Sequence, residues 1–499
     1  MPASVFAAEP AVLSSESISL ADAIQATLAN QPGVEITRQQ VLQRAGNAQS
    51  ASGQFDWALG SFYSRETNRT PTGTPPPFLA VHRVETSIYG FGFAKQFRNG
   101  ISVTPQVSVV DARDNVSSPA PFSQSDLSLT ITVPLLRGLG AKTTGATEAA
   151  ARTAVRAQEA QARFQLEQIV YQTASAYWNC LAARRNLEIL IDTAASAQKV
   201  FSTVEVFAKG GELDSATLDQ SRALVSTRQA EREDGELTYF QARQALGLAL
   251  GLGAKQLARV PDVSSEFPAV IDVTRIPAAI GEKYVSESLA RRGDYLAAGL
   301  NVDAQQLLLD QARGNLKPQL DLDLKLGYAG RDARADRFRP AYALSNDLTG
   351  VNALGSFTFQ WPIANNVARG AYVSQRATLE QAKLNSAQAA NGVASSVLVA
   401  LETLRKTIAQ YQLSTQAVDT YKRAVEQTGE KLKVGEASLT ELIDVQDRYA
   451  SARRVQIDTI RRYAVTLAQL RLLTGTLSSV ADKKATFEVG ALGELPFAQ

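Results

Sequence analysis

Side chains that could do covalent chemistry are scarce in this chain of 499 residues, which contains one Cys and one His. Cys180 lies within a helical pattern and is expected to be a buried small apolar residue, and His82 lies within a proline-rich loop. The chain therefore has almost none of the side chains that a His-based catalytic or metal site requires. We find no phosphate-binding loop, nucleophile elbow or metal-ligand cluster, so the sequence predicts no enzyme, no cofactor and no metal site.

Charged residues at alternate positions form a second candidate set. In the stretch LDLDLKLGY, Asp321, Asp323 and Lys325 alternate with leucines. This period of two predicts a strand with one polar and one apolar face. Charges on the polar face fit either a soluble sheet in water or the water-filled lumen of a barrel.

Two acidic residues, Glu441 and Asp444, form a third set. Their spacing of three on a helical pattern places both carboxylates on one face. Such a pair attracts cations or is simply a solvated helix surface, and the spacing does not decide between the two. The positions 224 residues earlier hold Thr217 and Gln220.

Strands that could position the alternating charges are predicted within 55–135 and 318–363. The stretches DLSLTITVPL and FTFQWPI alternate in the same way as LDLDLKLGY. Aromatic residues concentrate in these strands, which favours a lipid-facing band with interfacial girdles. They are Trp57, Tyr63, Tyr89, Phe91, Phe93, Phe97, Tyr328, Phe357, Phe359 and Trp361.

The connections between the strands alternate in length. Long polar loops are expected at 66–84, 112–122 and 331–350, and the pair Asn99-Gly100 favours a type I′ hairpin. Long loops on one side and a tight turn on the other are typical of outer-membrane barrels. Four strand-like segments in the first half and two in the second predict six strands, and eighteen in three copies. In the competing interpretation, segments 87–97 and 101–110 form a separate extracellular hairpin and a trimer has twelve strands.

The chain contains two similar halves. The stretch from Phe207 to Gly251 repeats the stretch that ends at Gly475, with matched residues such as Tyr239 and Tyr463 lying 224 positions apart. The opening helix is also duplicated, because LANQPG and LARRGD occupy matching places 261 positions apart. We therefore predict an internal two-fold sequence repeat.

Helical patterns follow both strand regions. Long helices are expected at about 143–209 and 366–434, each roughly 100 Å long at the rise of an α-helix. Shorter return limbs, and the opening helices that extend them end on end, are expected at about 214–250, 439–474, 20–53 and 279–314. The narrow apolar stripes of these helices fit either a solid coiled-coil rod or a curved wall around water.

Four short motifs link these helices and strands. The strand-to-helix junctions VPLLRG and QWPI, and the turns KGGELD and KVGEAS, resemble those of the outer membrane efflux proteins, the TolC family. The resemblance implies an α+β membrane protein, mostly long α-helices that form a trimeric periplasmic tunnel, with strands that contribute to a shared transmembrane β-barrel. It also implies a location in the cell outer membrane that extends into the periplasm.

The resemblance implies a function in transport. The chain is then an outer-membrane channel of a tripartite efflux or type I secretion system, which passively conducts substrates to the exterior. Its expected partners are two further copies, a periplasmic adaptor protein, an inner-membrane pump or transporter, and outer-membrane lipid. Nucleic acid is not expected, because 51 Lys and Arg balance 49 Asp and Glu. The alternative is a non-channel periplasmic coiled-coil scaffold.

The resemblance also assigns residues to roles. Glu441 and Asp444 are expected to form the periplasmic gate, and Asp321, Asp323 and Lys325 to face the barrel lumen. The family's Tyr and Arg latch is not kept. The turn residues expected to contact the adaptor are Gly210, Gly211, Glu212, Val434, Gly435 and Glu436.

Five segments follow from these patterns and the resemblance. They are 1–16, a signal remnant or disordered start; 17–252, the first structural repeat; 253–278, a mid-tunnel connector; 279–475, the second structural repeat; and 476–499, a C-terminal mid-tunnel segment.

Overall fold

The structure of the chain is a computed structural model. It describes residues 17–72, 80–115, 122–210, 215–277, 279–332, 340–345, 349–434, 436–481, 484–487 and 489–497. The expected signal remnant at 1–16 lies outside these residues. The chain forms two compact units, a helical unit of residues 1–42, 157–298 and 386–499, and a sheet unit of residues 43–156 and 299–385.

Helices dominate the chain. They are α1 Leu20–Asn30, α2 Pro32–Ser52, α3 Ala141–Thr144, α4 Ala146–Lys209, α5 Ser215–Ala249, α6 Ile280–Arg291, α7 Gly293–Gly314, α8 Pro340–Ala343, α9 Asn366–Lys433 and α10 Leu439–Leu473. The long helices and return limbs lie where the apolar periodicity predicted them. None of the helices in the described part of the chain combines the length with the apolar character that crossing a bilayer requires.

Strands form one large sheet and two small pairs. They are β1 Ser17–Ile18, β2 Ala58–Thr72, β3 Ala80–Gln96, β4 Ser102–Asp114, β5 Phe122–Pro134, β6 Asp262–Val263, β7 Gln319–Asp332, β8 Thr349–Gln360, β9 Ser478–Ala481 and β10 Lys484–Phe487. In the helical unit β1 pairs with β6 and β9 with β10.

Helix ends follow from local capping chemistry. The Asp22 amide donates to Ser19 Oγ (3.2 Å) at the start of α1, and the Glu441 amide donates to Ser438 Oγ (3.2 Å) at the start of α10. Pro32 separates α1 from α2, because it has no amide to continue the first helix.

The two return limbs end in the same way. Gly251 after α5 and Gly475 after α10 have positive φ angles of 74° and 62°. A Cβ at Gly251 would lie 2.5 Å from the Cα of Gln31, between α1 and α2, and one at Gly475 would lie 3.1 Å from the carbonyl carbon of Arg291, at the end of α6. Each return limb therefore abuts a short helix pair, as the expected end-on-end arrangement requires. The internal sequence repeat itself stays a prediction.

The helical unit buries two hydrophobic cores. The first packs α1, α4 and α5 around Tyr177, Trp178 and Leu181, and it includes Cys180. The second packs α6, α9 and α10 around Leu404 and Leu467. The Tyr177 hydroxyl is satisfied within the first core, since Tyr177 Oη donates to the Ile18 carbonyl (3.0 Å) and accepts from the Ser265 amide (2.7 Å). Cys180 is fully buried, as its helical pattern predicted.

The large sheet has the order β2-β3-β4-β5-β7-β8, and every neighbouring pair is antiparallel. The six strands predicted for each chain are therefore confirmed. The competing hairpin of 87–97 and 101–110 is wrong, because β3 and β4 are paired along their lengths between β2 and β5.

The turn between β3 and β4 differs from the expected type I′ hairpin. The Gly100 amide donates to the Phe97 carbonyl (2.9 Å), and in this turn only Gly100 has a positive φ, of 98°. This is a type I turn followed by a glycine bulge. The Asn99 carbonyl is used elsewhere, because it accepts from the Gly140 amide (2.9 Å) beyond β5.

A buried charge fixes this turn to the first turn of α4. Glu148 is 4% exposed and accepts from Arg98 Nε (2.7 Å) and Arg152 Nη2 (2.5 Å). The hydrogen bond from Arg98 contributes most to holding the pKa of Glu148 below its usual range. The hairpin is thus held by ionic contacts as well as by its strands.

The loops expected at 66–84 and 112–122 are shorter than predicted. β2 continues to Thr72 and β3 begins at Ala80, so His82 lies in a strand, with Nε2 2.7 Å from Asp114 Oδ1. The ends of these strands carry polar residues on both faces. Without an alternation of apolar and polar residues, their sequence predicts a loop. In the third expected loop, at 331–350, the structure contains α8.

Candidate functional sites: the sheet faces and the helical turns

The three expected lumen residues share one face of the sheet. Asp323 accepts from Thr132 Oγ1 of β5 (2.6 Å) and from Thr358 Oγ1 of β8 (3.3 Å). Asp321 accepts from Gln319 Nε2 (2.6 Å), and Lys325 is directly opposite Thr130. Other small polar residues continue this polar face through the pairing register: Ser102, Thr104, Gln106, Ser108, Ser128 and Ser356. The face presents hydroxyl, amide and charged groups that suit contact with water.

The opposite face is apolar in its middle. Leu129 is opposite Leu326 and Ile131 is opposite Leu324, while Phe357 is opposite Leu322. The aromatic residues on this apolar face are Tyr63, Tyr89, Phe91, Phe93, Tyr328, Phe357 and Phe359. Phe62 is an exception, since its ring lies on the polar face over Gly90, whose absent Cβ would be 2.0 Å from it.

Within a single chain this apolar face is uncovered over much of its area. Phe357 is 69% exposed and Leu326 is 57% exposed. Soluble monomers rarely expose contiguous apolar patches larger than a few hundred Å². A sheet with one wet face and one exposed apolar face requires an apolar environment on the second face. Lipid is the environment that such aromatic-rimmed faces meet in membrane proteins.

The turn residues expected to meet an adaptor are described only in part. Gly211, Glu212 and Gly435 lie outside the described residues. Gly210 follows α4, and its amide donates to the Val206 carbonyl (3.1 Å). After α9, the Glu436 amide donates to the Lys431 carbonyl (2.9 Å), and the Val434 side chain is exposed. These contacts leave an apolar side chain in water at the second turn.

The two expected gate residues lie on the first turns of α10, and both are exposed. The backbone amide of Glu441 donates to Ser438 Oγ (3.2 Å), whereas the Asp444 carboxylate accepts from Arg448 Nε (2.9 Å). The hydrogen bond with Asp444 is the main reason that the pKa of Arg448 lies above its usual value. Within one chain the charge of Asp444 is therefore balanced by its own helix.

An arginine in the same region was missed from the sequence. Arg228 of α5 is largely buried and contacts Asp447 of α10, while its Nη1 donates to Glu231 Oε2 (2.8 Å). This contact ties the two return limbs together. The sequence shows the i, i+3 pair of Arg228 and Glu231. It does not show the partner on the other helix, Asp447, which lies 219 positions away.

A second missed set lies on the sheet. Four arginines share the apolar face but lie beyond the paired Tyr63 and Tyr89: Arg65, Arg69, Arg83 and Arg113. Arg65 and Arg69 are four positions apart in β2, an even spacing that places both on one face, but the interpretation of 66–84 as a loop concealed this signal.

Comparison with solved structures shows which proteins share this fold. The fold resembles the Campylobacter jejuni CmeC outer membrane channel, with a TM-score of 0.68, 14% identity, and coverage of 96% of this chain and 90% of that one. It also resembles the outer membrane protein VceC of Vibrio cholerae, with a TM-score of 0.65, 15% identity, and coverage of 91% and 96%. The chain therefore shares the fold of these two outer-membrane proteins.

Sequence comparison then gives the family. Residues 284–476 match the model of the family described as Outer membrane efflux protein. The chain is 28% identical over 276 residues to the pyoverdine export outer membrane protein OpmQ of Pseudomonas putida, which covers 55% of this chain and 54% of that protein. The alignment thus spans about half the length of this curated relative. The family match lies in the second half of the chain, and it agrees with the family that the motifs indicated.

Proposed function

We propose that this chain forms the outer-membrane exit duct of a tripartite efflux or type I secretion system. One observation carries the proposal: the six-stranded sheet has a polar face lined by hydroxyl and charged groups and an exposed apolar face with aromatic residues. A periplasmic coiled-coil scaffold has no use for such a sheet. The duct performs no covalent chemistry, and an energised pump supplies the direction of transport.

Three copies would close the sheet. β2 and β8 are the edge strands, and edge strands left unpaired are prone to pair with another chain. Pairing β2 of one copy with β8 of the next gives eighteen strands in three copies, with the polar faces turned inward. Because barrel diameter grows roughly linearly with strand number, the pore would be about 1.5 times as wide as one of twelve strands.

The periplasmic end would contact an adaptor and hold the gate. We assign adaptor contact to the turns at Gly210, Gly211, Glu212, Val434, Gly435 and Glu436. The exposed Val434 gives this surface an apolar contact point. Bulky residues in place of Gly211 and Gly435 are expected to abolish efflux while trimers remain in the membrane; unchanged efflux contradicts the assignment.

The gate would be a ring of carboxylates from Glu441 and Asp444. In a narrow trimeric mouth, six carboxylates attract cations and favour their passage. Because Arg448 balances Asp444 within each chain, Glu441 contributes more to the unbalanced charge. Replacing both acids with Ala should lower cation selectivity and block by multivalent cations from the periplasmic side. Glu441→Ala should have a larger effect than Asp444→Ala.

The substrate class follows from the curated relative. Since OpmQ is named for pyoverdine export, pyoverdine is the first substrate to test. Copurification of the chain with its pump would identify the transport system.

The proposal is tested by the location and conductance of the full-length protein. Membranes are separated by density, and the purified protein is added to planar bilayers. We expect the protein in the outer-membrane fraction, extraction only with detergent, and stepwise ion conductance. Release into the soluble periplasmic fraction, without conductance, would establish the scaffold instead.

A further inference from the structure

The apolar face of the sheet changes character at one end. Tyr63 of β2 and Tyr89 of β3 are directly opposite each other, with ring centroids 4.9 Å apart. Beyond this tyrosine row, the register places Arg65, Arg69, Arg83 and Arg113 on the same face, because directly paired residues of antiparallel strands point the same way. We call these four residues the arginine surface.

The charges of the arginine surface are only partly compensated. Glu85 accepts from Arg65 Nη2 (3.2 Å) and also contacts Arg83. Asp111 is the other acid on this face of β2, β3 and β4 at this end. Arg69 and Arg113 form no ion pair within the described residues, and both are exposed. The side chains of Arg65 and Arg83 remain 61% and 49% exposed, so all four guanidinium groups are reachable from outside.

Among the described residues, the opposite end of the apolar face has no such arginine cluster. There Lys95 lies over the ring of Trp57, with Nζ 5.2 Å from its centroid. The polar face at the level of the arginines carries Glu66, His82 and Asp114, and the last two contact each other. Arg65, Arg69, Arg83 and Arg113 therefore cluster at one end of this face, where they continue the apolar band.

We propose that the arginine surface binds the phosphate-bearing headgroups of lipids that cover the adjoining apolar face. This rests on the proposed function, because it takes the apolar face to meet the bilayer. Tyrosines mark the interface in membrane barrels. The row of Glu85 and Arg113 lies four residues beyond Tyr89, about 13 Å along the strand and about 10 Å above the tyrosines at the usual tilt. The arginines therefore lie at the height above the tyrosines where the lipid headgroups begin, and the headgroups extend outward from there.

Arginine suits this ligand for a chemical reason. Its planar guanidinium donates two parallel hydrogen bonds to a phosphate, and it stays charged in any physiological medium. Glu85 holds Arg65 and Arg83 in place, while the guanidinium groups of Arg69 and Arg113 form no ion pair with any described residue. The bound lipid would carry the headgroup phosphates of the outer leaflet, and its acyl chains would lie along Tyr63, Tyr89 and the apolar residues next to them.

The test uses the full-length protein in detergent and native mass spectrometry. Retention of bis-phosphorylated lipid A is compared with retention of the same glycolipid after enzymatic removal of its phosphates. The variant Arg69→Gln/Arg113→Gln leaves Glu85 with both of its partners. The matched control Arg369→Gln/Arg376→Gln removes two exposed arginines of α9 that form no ion pair in the described part of the chain. Inorganic phosphate is added in a separate series.

We expect the unmodified protein and the control to retain the phosphorylated lipid and to release the dephosphorylated one. At about 1 kcal/mol for each arginine near an anionic surface, the double variant should bind it roughly thirty-fold more weakly. Inorganic phosphate at millimolar concentration should compete poorly, since it lacks the acyl chains. Equal affinity of the double variant and the control overturns the inference. Competition by phosphate as effective as by the lipid would also overturn it, in favour of a soluble phosphate ligand.

Failure of the inference can be told apart from failure of the proposed function. The same variants are fractionated in cells. Protein in the outer membrane with unchanged lipid retention rejects only the arginine surface, whereas protein absent from the outer membrane rejects the duct.

Discussion

The helical unit and the sheet unit place their apolar residues in opposite ways. In the helical unit, Trp178 and Leu467 lie inside cores, with exposures of 2% and 0%. In the sheet unit, Leu326 and Phe357 are directed to the outside, and the buried groups include the charged Glu148. Burial stabilises the first unit from within, whereas the second requires an apolar surrounding. This difference indicates that the sheet, and not the helices, determines the compartment of the protein.

The largest expected effect comes from a cavity in a helical core. Leu467→Ala should destabilise the helical unit by about 2–5 kcal/mol, because the surrounding side chains collapse only in part. Labelling of Cys180 with a thiol reagent measures this opening, since burial raises the pKa of its thiol to about 12 in the folded state. The matched change Leu326→Ala on the sheet should leave the labelling rate of Cys180 unaltered. Similar acceleration by both changes would remove the distinction between the units.

The effect of an added charge on stability should depend on which face of the sheet carries it. Leu129→Arg puts a charge on the apolar face and should destabilise the membrane-inserted state by about 2–4 kcal/mol. Thr104→Arg puts it on the polar face, where the register pairs Thr104 with Thr130, and should cost much less. Urea titration of the protein refolded into lipid vesicles measures both. Equal costs for the two changes would show that both faces meet the same medium.

Ionic contacts, rather than a core, should hold the β3–β4 hairpin. Glu148→Gln removes the charge shared by Arg98 and Arg152 and should reduce stability by about 1.5–3 kcal/mol at neutral pH, the usual range for hydrogen bonds to charged groups. Because the folded pKa of Glu148 is lowered, its stabilisation is present above the unfolded pKa and is lost as the pH falls through the folded pKa. The difference between the variant and the unmodified protein should therefore shrink in acid.

The smallest effect concerns a carboxyl group at the edge of a helical core. Glu167 accepts from Ser478 Oγ (2.5 Å), its other oxygen has no hydrogen-bond partner among the described residues, and burial raises its pKa above the usual range of a carboxyl. A raised folded pKa means that stability is fully present below the unfolded pKa and is lost as the pH rises through the folded pKa. Glu167→Gln should flatten this decline, opposite in sign to Glu148→Gln. Parallel pH profiles for the unmodified protein and Glu167→Gln would show that the group does not titrate in this range.

Local signals were enough to predict most of the elements. The apolar periodicity of the helices and the alternation in LDLDLKLGY predicted helices and strands near their observed bounds. Contacts between distant segments were not legible. The turn at Asn99 takes its form from Gly140, and Glu148 finds Arg98 fifty positions away. The ends of β2 and β3 were assigned to a loop because strand pairing, rather than apolar alternation, specifies them.

The assignment of candidate sites shows the same limit. That Asp321, Asp323 and Lys325 share a face follows from a period of two, which the structure confirms. The pairing of Asp444 with Arg448 was available from the i, i+4 spacing, but was not considered. The contact between Arg228 and Asp447 depends on how two helices pack, which one sequence does not specify.

The central claim, that one sheet face lines water and the other meets lipid, is tested most directly at two neighbouring residues of β4. Gln106 lies on the polar face and Val107 on the apolar face, opposite Leu127. Cys180 is replaced by Ala, and Gln106→Cys and Val107→Cys are compared in the intact outer membrane with a water-soluble maleimide and with a lipid-attached quencher of a thiol-bound dye. The account predicts rapid maleimide reaction only at position 106 and strong quenching only at position 107. Equal reaction at both positions, or the reverse order, would contradict it.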